Sequence, residues 1–127
     1  MTSLDTNVVL RLLLGDVPHQ TAKGVALLRK TKCYLTDAVA VEVIYVLEKV
    51  YKNPRSHIVS LVRKLLMIDN LSCTEFVLTE VLELYQRQPA LSIIDCYASV
   101  EAAKTDNSFA TFDKKLVKYG GTHVVVL

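Results

Sequence analysis

The sequence contains few residues that interrupt regular structure and no long apolar run. Only 4 glycines and 3 prolines occur among 127 residues, so little of the chain has the composition of disorder or long linkers. Charged residues such as Arg11, Glu42 and Glu48 interrupt the apolar stretches, and none reaches the roughly 18 residues of a membrane-spanning helix. Asp5 stands where a secretory signal would have cations followed by an apolar run. We therefore expect a cytoplasmic protein that does not cross a membrane.

Residues typical of zinc sites and of covalent catalysis are also scarce. Cys33, Cys73 and Cys96 form neither a CxxC pair nor a finger-like spacing, which favours small core residues in a reducing compartment. The 3 histidines are scattered and form no HExxH motif. The glycines form neither a GxGxxG motif nor a P-loop. These absences argue against zinc binding, Ser/His or Cys/His catalysis, and dinucleotide or P-loop nucleotide binding.

Length and composition predict one compact domain over residues 1–127. Apolar residues make up 51% of the chain and charged residues 22%, as in soluble globular domains. A chain of this length buries roughly two-thirds of its unfolded surface. The net charge of +2 is too small by itself to indicate a nucleic-acid-binding protein.

Turn signals and hydrophobic periodicity predict short strands that alternate with helices. The predicted strands are Met1–Leu4, Cys33–Thr36, Leu71–Cys73, Ser108–Phe112 and His123–Leu127. The predicted helices are Thr6–Leu14, Asp16–Lys30, Asp37–Tyr51, Asn53–Met67, Glu75–Arg87, Ser92–Lys104 and Asp113–Gly120, with Asp16, Asp37, Ser92 and Asp113 as N-caps. This order predicts an α/β fold, a three-layer sandwich in which helices flank a central, mostly parallel five-stranded sheet.

Asp5 and Asp113 directly follow predicted strands. Asp5 comes after the first strand and Asp113 after the fourth. Ligands of parallel α/β sheets bind beyond the carboxyl ends of the strands, so the two carboxylates are expected to converge on one crevice. Each aspartate is also placed to cap the helix that follows it, and this alternative remains open.

Two further carboxylates, Glu42 and Asp95, lie in predicted helices without a cation one turn away. The residues three and four positions before and after each of them are uncharged. Glu42 has an alternative interpretation as a solvated carboxylate at the edge of a polar helix face. Asp95 has an alternative interpretation as a helix-capping residue, because Ser92 and Asp95 have the spacing of a capping box.

Together the four carboxylates favour a divalent metal site. Acids gathered in one crevice repel each other unless a cation compensates their charge. Oxygen ligands without His or Cys select Mg²⁺ or Mn²⁺ over zinc. Such a site suits phosphodiester hydrolysis, in which one ion activates water and a second, about 3.5–4 Å away, stabilises the leaving oxygen. When four acids are assigned to the site, the rest of the chain has 15 cations and 9 acids, a net charge of +6. A positively charged surface favours a polyanionic substrate.

Four segments carry a family resemblance: Leu4–Leu10, Val41–Val43, Ile94–Ala98 and Thr111–Leu116. In order and spacing they resemble the motifs of the PIN-domain nucleases, and especially of the VapC-type toxins. The resemblance extends from residue 4 to the last predicted strand. It implies a PIN-like fold and an endoribonuclease that depends on Mg²⁺ or Mn²⁺ and cleaves structured RNA such as transfer or ribosomal RNA.

The resemblance also implies which residues carry the activity. The catalytic and metal-binding residues would be Asp5, Glu42, Asp95 and Asp113, with Asn7 and Thr111 supporting them through hydrogen bonds. Water would attack phosphorus in line and leave a 5′-phosphate and a 3′-hydroxyl. The family further implies a homodimer that is inhibited by a small cognate antitoxin protein.

Two alternative functions remain open at this point. One is a housekeeping RNA-processing nuclease on the same fold. The other is a non-catalytic RNA-binding or interaction module that keeps the four acids for helix capping. RNA binding that does not respond to divalent metal would favour the module.

Overall fold

The structure, a computed structural model of residues 1–127, contains seven helices and five strands and confirms the predicted mixed α/β fold. The helices are Thr6–Leu14 (α1), Pro18–Lys30 (α2), Asp37–Lys49 (α3), Arg55–Leu66 (α4), Glu75–Arg87 (α5), Ile93–Lys104 (α6) and Lys114–Tyr119 (α7). The strands are Thr2–Ser3 (β1), Cys33–Leu35 (β2), Leu71–Cys73 (β3), Phe109–Thr111 (β4) and Val124–Val126 (β5). None of the helices combines the length and apolar character needed to cross a membrane.

The strands do not form the single five-stranded sheet that the sequence predicts. β1, β2 and β3 form a parallel sheet in that order, and β4 pairs with β5 in a separate parallel sheet of two strands. Each strand has only two or three residues, so each pairing consists of very few backbone hydrogen bonds. Hydrophobic alternation identifies such strands locally, but their pairing depends on contacts between residues far apart in sequence. The prediction of five strands is therefore correct and the prediction of one sheet is wrong.

The chain divides into two compact units, Met1–Glu75 and Phe76–Leu127. The first unit contains the three-stranded sheet and helices α1 to α4. The second contains α5 from its second residue onwards, then α6, α7 and the two-stranded sheet. That residues 1–127 form a single domain stays a prediction.

The core of the first unit follows from amphipathic helices packed on a short sheet. α4 buries Ile58, Val59, Val62 and Leu65, whose spacing places them on one face of a helix. Where α1 and α2 pack together, a Cβ on Gly24 would lie only 3.0 Å from the Leu12 side chain. A glycine at this position therefore lets the two helices approach closely.

The second unit has a core built around a fully buried tyrosine and a buried serine. Tyr85 of α5 has no exposed surface. The buried Ser99 hydroxyl of α6 donates to the carbonyl oxygen of Gly120, directly after α7. Nε2 of His123 lies 2.7 Å from the carbonyl oxygen of Ser99. These polar contacts link α6 to the segment that leads into β5.

Three helix starts differ from the sequence predictions. α4 begins at Arg55 with Pro54 as its N-cap, not at Asn53. The N-cap of α2 is Val17 and not Asp16, whose carboxylate lies 3.3 Å from Nε of Arg11 instead. The N-cap of α3 is Thr36, and Asp37 is the first helical residue. For α3 the neighbouring Thr36 is also a favoured N-cap, and its hydroxyl accepts from the backbone N–H of Val39. Val17 is not a favoured N-cap, and α2 instead begins at Pro18, which suits the first helical position.

Candidate functional site

Four strands are followed by an acid at the same distance. Asp5, Asp37, Glu75 and Asp113 each lie two positions after the last residue of β1, β2, β3 and β4, respectively. Each acid stands at the start of a helix, where the positive end of the helix dipole stabilises a carboxylate. Sequence reasoning singled out Asp5 and Asp113 but missed Asp37 and Glu75, although the same spacing after a strand marks all four.

The acids that follow β2 and β3 raise the pKa of a nearby thiol. Burial raises the pKa of Cys73, the last residue of β3, and the carboxylates of Glu75 and Asp37 raise it further. Because β1, β2 and β3 are parallel, their carboxyl ends lie at one edge of the sheet. Glu75 and Asp37 thus place two carboxylates close enough to Cys73 at this edge to affect its thiol.

In the first unit, a hydrogen bond links Glu42 to Thr6, the residue that follows Asp5. Asp5 is the N-cap of α1, but its carboxylate makes no capping hydrogen bond. The next residue, Thr6, is 8% exposed, and its hydroxyl donates to Oε2 of Glu42 at 2.9 Å. This bond joins α1 to α3 across 36 positions of sequence. Asp5 and Glu42 are both exposed, so their carboxylates are open to a ligand.

The sequence did not identify Thr6 as a site residue. It also did not predict that Asn7 lies at a cleft. Nothing in the local pattern marks Thr6 except its place between Asp5 and Asn7. The exposed Asn7 lines a cleft between α1 and α2. Its support of the acids through a hydrogen bond stays a prediction.

In the second unit, Asp95 is part of the capping box that the sequence pattern suggested. The Ser92 hydroxyl accepts from the backbone N–H of Asp95 at 3.1 Å, and Oδ2 of Asp95 accepts from the backbone N–H of Ser92 at 3.4 Å. The two bonds fix the Asp95 side chain at the start of α6. A carboxylate has two oxygens with about four acceptor positions, so this role leaves Asp95 able to bind a further group.

Asp113 also caps the helix that follows it. Its Oδ1 accepts from the backbone N–H of Lys115 at 2.8 Å at the start of α7. The hydroxyl of Thr111 accepts from the backbone N–H of Asp113 at 2.9 Å. The Thr111 side chain therefore contacts the main chain of Asp113 and not its carboxylate. The second carboxylate oxygen of Asp113 remains available for other contacts.

The donor chemistry of the four predicted acids fits a hard cation. None of Asp5, Glu42, Asp95 and Asp113 forms an ion pair with a lysine or arginine. All four are oxygen donors, as Mg²⁺ and Mn²⁺ prefer. The first two belong to the first unit and the last two to the second. No three His, Cys, Asp or Glu side chains are grouped closely enough to hold a metal ion.

Comparison with known families identifies most of the chain. The family model of the PIN domain matches residues 3–121. The matched segment contains all four predicted acids and extends from β1 to Gly121, beyond α7. No curated protein matches the sequence.

Proposed function

The chain belongs to the PIN-domain family, and on that premise we propose that it is an endoribonuclease that depends on Mg²⁺ or Mn²⁺. PIN domains are generally nucleases, and the fold of this chain is of that kind. The proposed ligands and catalytic residues are Asp5, Glu42, Asp95 and Asp113. Four carboxylates without a cationic partner suit a hard divalent ion.

The biological role that we propose is that of a toxin in a toxin–antitoxin pair. This proposal is supported by the four sequence segments that resemble the VapC-type toxins. It includes structured RNA such as transfer or ribosomal RNA as the substrate, a small antitoxin protein as the inhibitor, a homodimer as the active form, and the cytoplasm as the location.

The hydrogen bond from Thr6 to Glu42 is the observation that carries the proposal. It brings an acid of α3 next to the start of α1, where Asp5 makes no capping bond. Neither carboxylate neutralises a cation or caps a helix through a hydrogen bond. Asp5 has no partner that explains its carboxylate, and Glu42 has only the Thr6 hydroxyl, so both remain available to a ligand.

In the proposed reaction, water attacks phosphorus in line and the products carry a 5′-phosphate and a 3′-hydroxyl. A divalent ion, when bound, lowers the pKa of water and stabilises charge on the phosphate oxygens. In this proposal Asp5 and Asp113 would hold the principal ion, and Glu42 and Asp95 would complete its ligands and help to orient the water. Thr6 fixes the direction of the Glu42 carboxylate, as outer-shell groups do around metal ligands.

The first experiment is cleavage of a structured RNA by the purified protein with Mg²⁺, with Mn²⁺, or with EDTA. We expect discrete 5′-phosphate ends that require the metal and are lost in Asp5→Asn. The matched control is Asp69→Asn, which removes one exposed carboxylate from the same unit outside the proposed site. Cleavage by Asp5→Asn at the wild-type rate would contradict the site.

A non-catalytic RNA-binding module is the second candidate, because Asp95 and Asp113 both cap helices in this structure. The same experiment separates the two functions. A module binds RNA equally with metal or with EDTA and produces no new ends. Metal-dependent ends that map to defined positions support the nuclease.

The toxin role is tested by inducing the protein in bacteria that lack a cognate inhibitor. We expect the wild-type protein to stop growth and the Asp5→Asn variant to have no effect on growth. A housekeeping processing nuclease would cleave RNA in the purified assay without arresting growth. Equal arrest by both proteins would show that toxicity does not depend on Asp5.

A further inference from the structure

The last helix, α7, exposes three lysines on one face. Lys114, Lys115 and Lys118 are exposed, whereas Leu116 is buried and anchors the helix in the second unit. At about 100° per residue the three lysines lie within an arc of about 100°, and Leu116 points away from that arc. We call this surface the α7 lysine face. It is positively charged, because residues 114–127 contain no aspartate or glutamate.

The charge of the α7 lysine face is not neutralised within the folded chain. The face holds three of the five lysines and arginines of the second unit, and the other two, Lys104 and Arg87, have acidic neighbours. Lys104 forms an ion pair with Glu80, and Arg87 lines a small cleft together with Glu80 and Glu83. No aspartate or glutamate forms an ion pair with a lysine of the α7 lysine face.

The positions of these lysines are unfavourable for the helix itself. Lys114 and Lys115 are the first two residues of α7, where the positive end of a helix dipole disfavours cations. Lys118 follows Lys114 by four positions and Lys115 by three, the spacings at which like charges on a helix repel each other. The first turn of α7 contains no acid to offset this repulsion. The stability of α7 therefore does not explain the three lysines, whereas an anion bound from outside the chain does.

Cations elsewhere in the chain stand where a helix favours them. Arg29 and Lys30 lie in the last turn of α2, and the negative end of a helix dipole stabilises cations there. Their presence has a structural reason. The same residue type thus has opposite effects at the two places, which makes Lys30 a matched control for Lys114.

Hydrogen bonds hold the α7 lysine face beside two of the proposed ligands. At the start of α7, Oδ1 of Asp113 accepts from the backbone N–H of Lys115 at 2.8 Å. Directly after α7, the carbonyl oxygen of Gly120 accepts from the hydroxyl of Ser99. Ser99 lies about one turn of α6, or roughly 6 Å, after Asp95. Contacts on the folded chain therefore fix both ends of α7, one at Asp113 and the other within a turn of Asp95.

The polyanion that suits this position is RNA. Phosphate groups along a nucleic-acid backbone bind lysine ammonium groups whatever the base sequence. The carboxylates of Asp95 and Asp113 repel an anion that approaches the face. In the proposed function these acids take up a divalent ion, which removes their repulsion for a phosphate backbone.

We propose that the α7 lysine face binds the phosphate backbone of the RNA substrate and holds it against Asp95 and Asp113. The inference rests on the proposed nuclease function and names the surface that positions its substrate. Because the contacts are with phosphates, they are independent of base sequence and are made with single-stranded and paired RNA alike. Binding through them weakens as salt rises.

Two charge reversals at exposed lysines test the proposal with opposite expectations. Lys114→Glu places an acid at the first position of α7, and Lys30→Glu places one in the last turn of α2. We expect Lys114→Glu to weaken binding of a fluorescent RNA hairpin in EDTA about tenfold and to lower the salt slope by about 1. Its urea midpoint should stay unchanged or rise, because a helix dipole favours an acid at that position.

The control variant should show the reverse pattern. Lys30→Glu puts an acid at the negative end of a helix dipole, so we expect its urea midpoint to fall. Its binding of the RNA hairpin should change by less than about twofold, because exposed charges far from a ligand are screened by salt.

A second pair of variants separates charge from packing. Lys118→Gln removes the charge and Lys118→Arg keeps it. We expect Lys118→Gln to weaken binding of single-stranded RNA and of the hairpin by similar factors of about three to ten, and Lys118→Arg to bind as the wild type does. In cleavage assays Lys118→Gln should raise KM with kcat within about twofold, as for a contact made equally in ground and transition states.

Equal losses of RNA binding in Lys114→Glu and Lys30→Glu would overturn the inference, since they would reflect net charge alone. Unchanged RNA binding in Lys114→Glu would overturn it as well, and loss of poly-glutamate binding in that variant would then assign the face to an acidic protein. Failure of the proposed function has a different signature. A wild-type protein that binds RNA through this face but cleaves none with Mg²⁺ or Mn²⁺ refutes the nuclease and leaves the binding surface established.

Discussion

The acids of the first unit and those of the second differ in what they do for the folded chain. Asp5 begins α1 without a capping bond, and Glu42 accepts only the hydroxyl hydrogen of Thr6. Asp95 and Asp113 instead accept backbone hydrogen bonds at the starts of α6 and α7. A carboxylate that caps a helix has a structural reason to be present, whereas one that does not needs another explanation. The case for chemistry is therefore strongest in the first unit.

The largest expected effect is that of Glu42→Gln on cleavage. Glutamine can still accept the hydrogen bond from Thr6, so the change removes charge and little else. Loss of an outer-shell group around a metal costs about 10–100-fold, so loss of a direct ligand should lower kcat/KM by more than about 100-fold. The free energy of unfolding should change by less than about 0.5 kcal/mol, as for most surface substitutions.

Cleavage assays with titrated Mg²⁺ and urea unfolding check this prediction together. Glu83→Gln, an exposed glutamate of the second unit, is the control and should keep full activity. A Glu42→Gln protein that cleaves RNA normally would place the chemistry outside the first-unit pair.

The next effect in size is that of Thr6→Val. The substitution keeps the shape of the side chain and removes the hydroxyl that donates to Glu42. We expect an activity loss of about 10–100-fold and a higher Mg²⁺ concentration at half-maximal rate, because the carboxylate loses its fixed direction. Thr6→Ser restores the hydroxyl and should recover most of the activity. A normal metal requirement in Thr6→Val would assign Thr6 a packing role only.

A stability comparison tests the two units directly at matched positions. Asp113 and Asp5 are both N-caps, but only the Asp113 carboxylate accepts a backbone N–H. Replacement of a capping residue by alanine costs about 1 kcal/mol. We expect Asp113→Ala to lower the free energy of unfolding by about that amount and Asp5→Ala by less than half of it. Equal losses in urea denaturation would remove the distinction between the two units.

The parts of the fold that local sequence determines were predictable. α1 ends as predicted because Gly15 adopts the left-handed conformation, with φ of 62°, that favours glycine. α6 begins as predicted because the Ser92–Asp95 spacing forms a capping box. The arrangement of strands into two sheets was not predictable, since no local pattern records which strand pairs with which.

The same distinction applies to the candidate site. Asp5 and Asp113 could be found because each follows a strand, which is a local signal. The contact between Thr6 and Glu42 joins residues 36 positions apart and exists only once α1 and α3 pack.

The smallest expected effect concerns the charge at the sheet edge of the first unit. Burial, then the carboxylates of Glu75 and Asp37, raise the pKa of Cys73 above the ordinary value of 9.0. Cys33 and Cys96 have no exposed surface, so alkylation at increasing pH reports mainly on Cys73. We expect half-maximal alkylation above pH 9.0 and a shift back towards it in Glu75→Gln, incomplete because burial is the larger cause.

The same thiol links stability to pH, with a definite sign. The folded chain holds the Cys73 proton more tightly than the unfolded chain, so its contribution to stability is present below pH 9.0 and is lost as pH rises through the raised pKa. Unfolding of the wild type should therefore become easier above that pH more steeply than unfolding of Cys73→Ser. Identical pH profiles would show that burial and the carboxylates of Glu75 and Asp37 do not hold the pKa of Cys73 above its ordinary value in the folded chain.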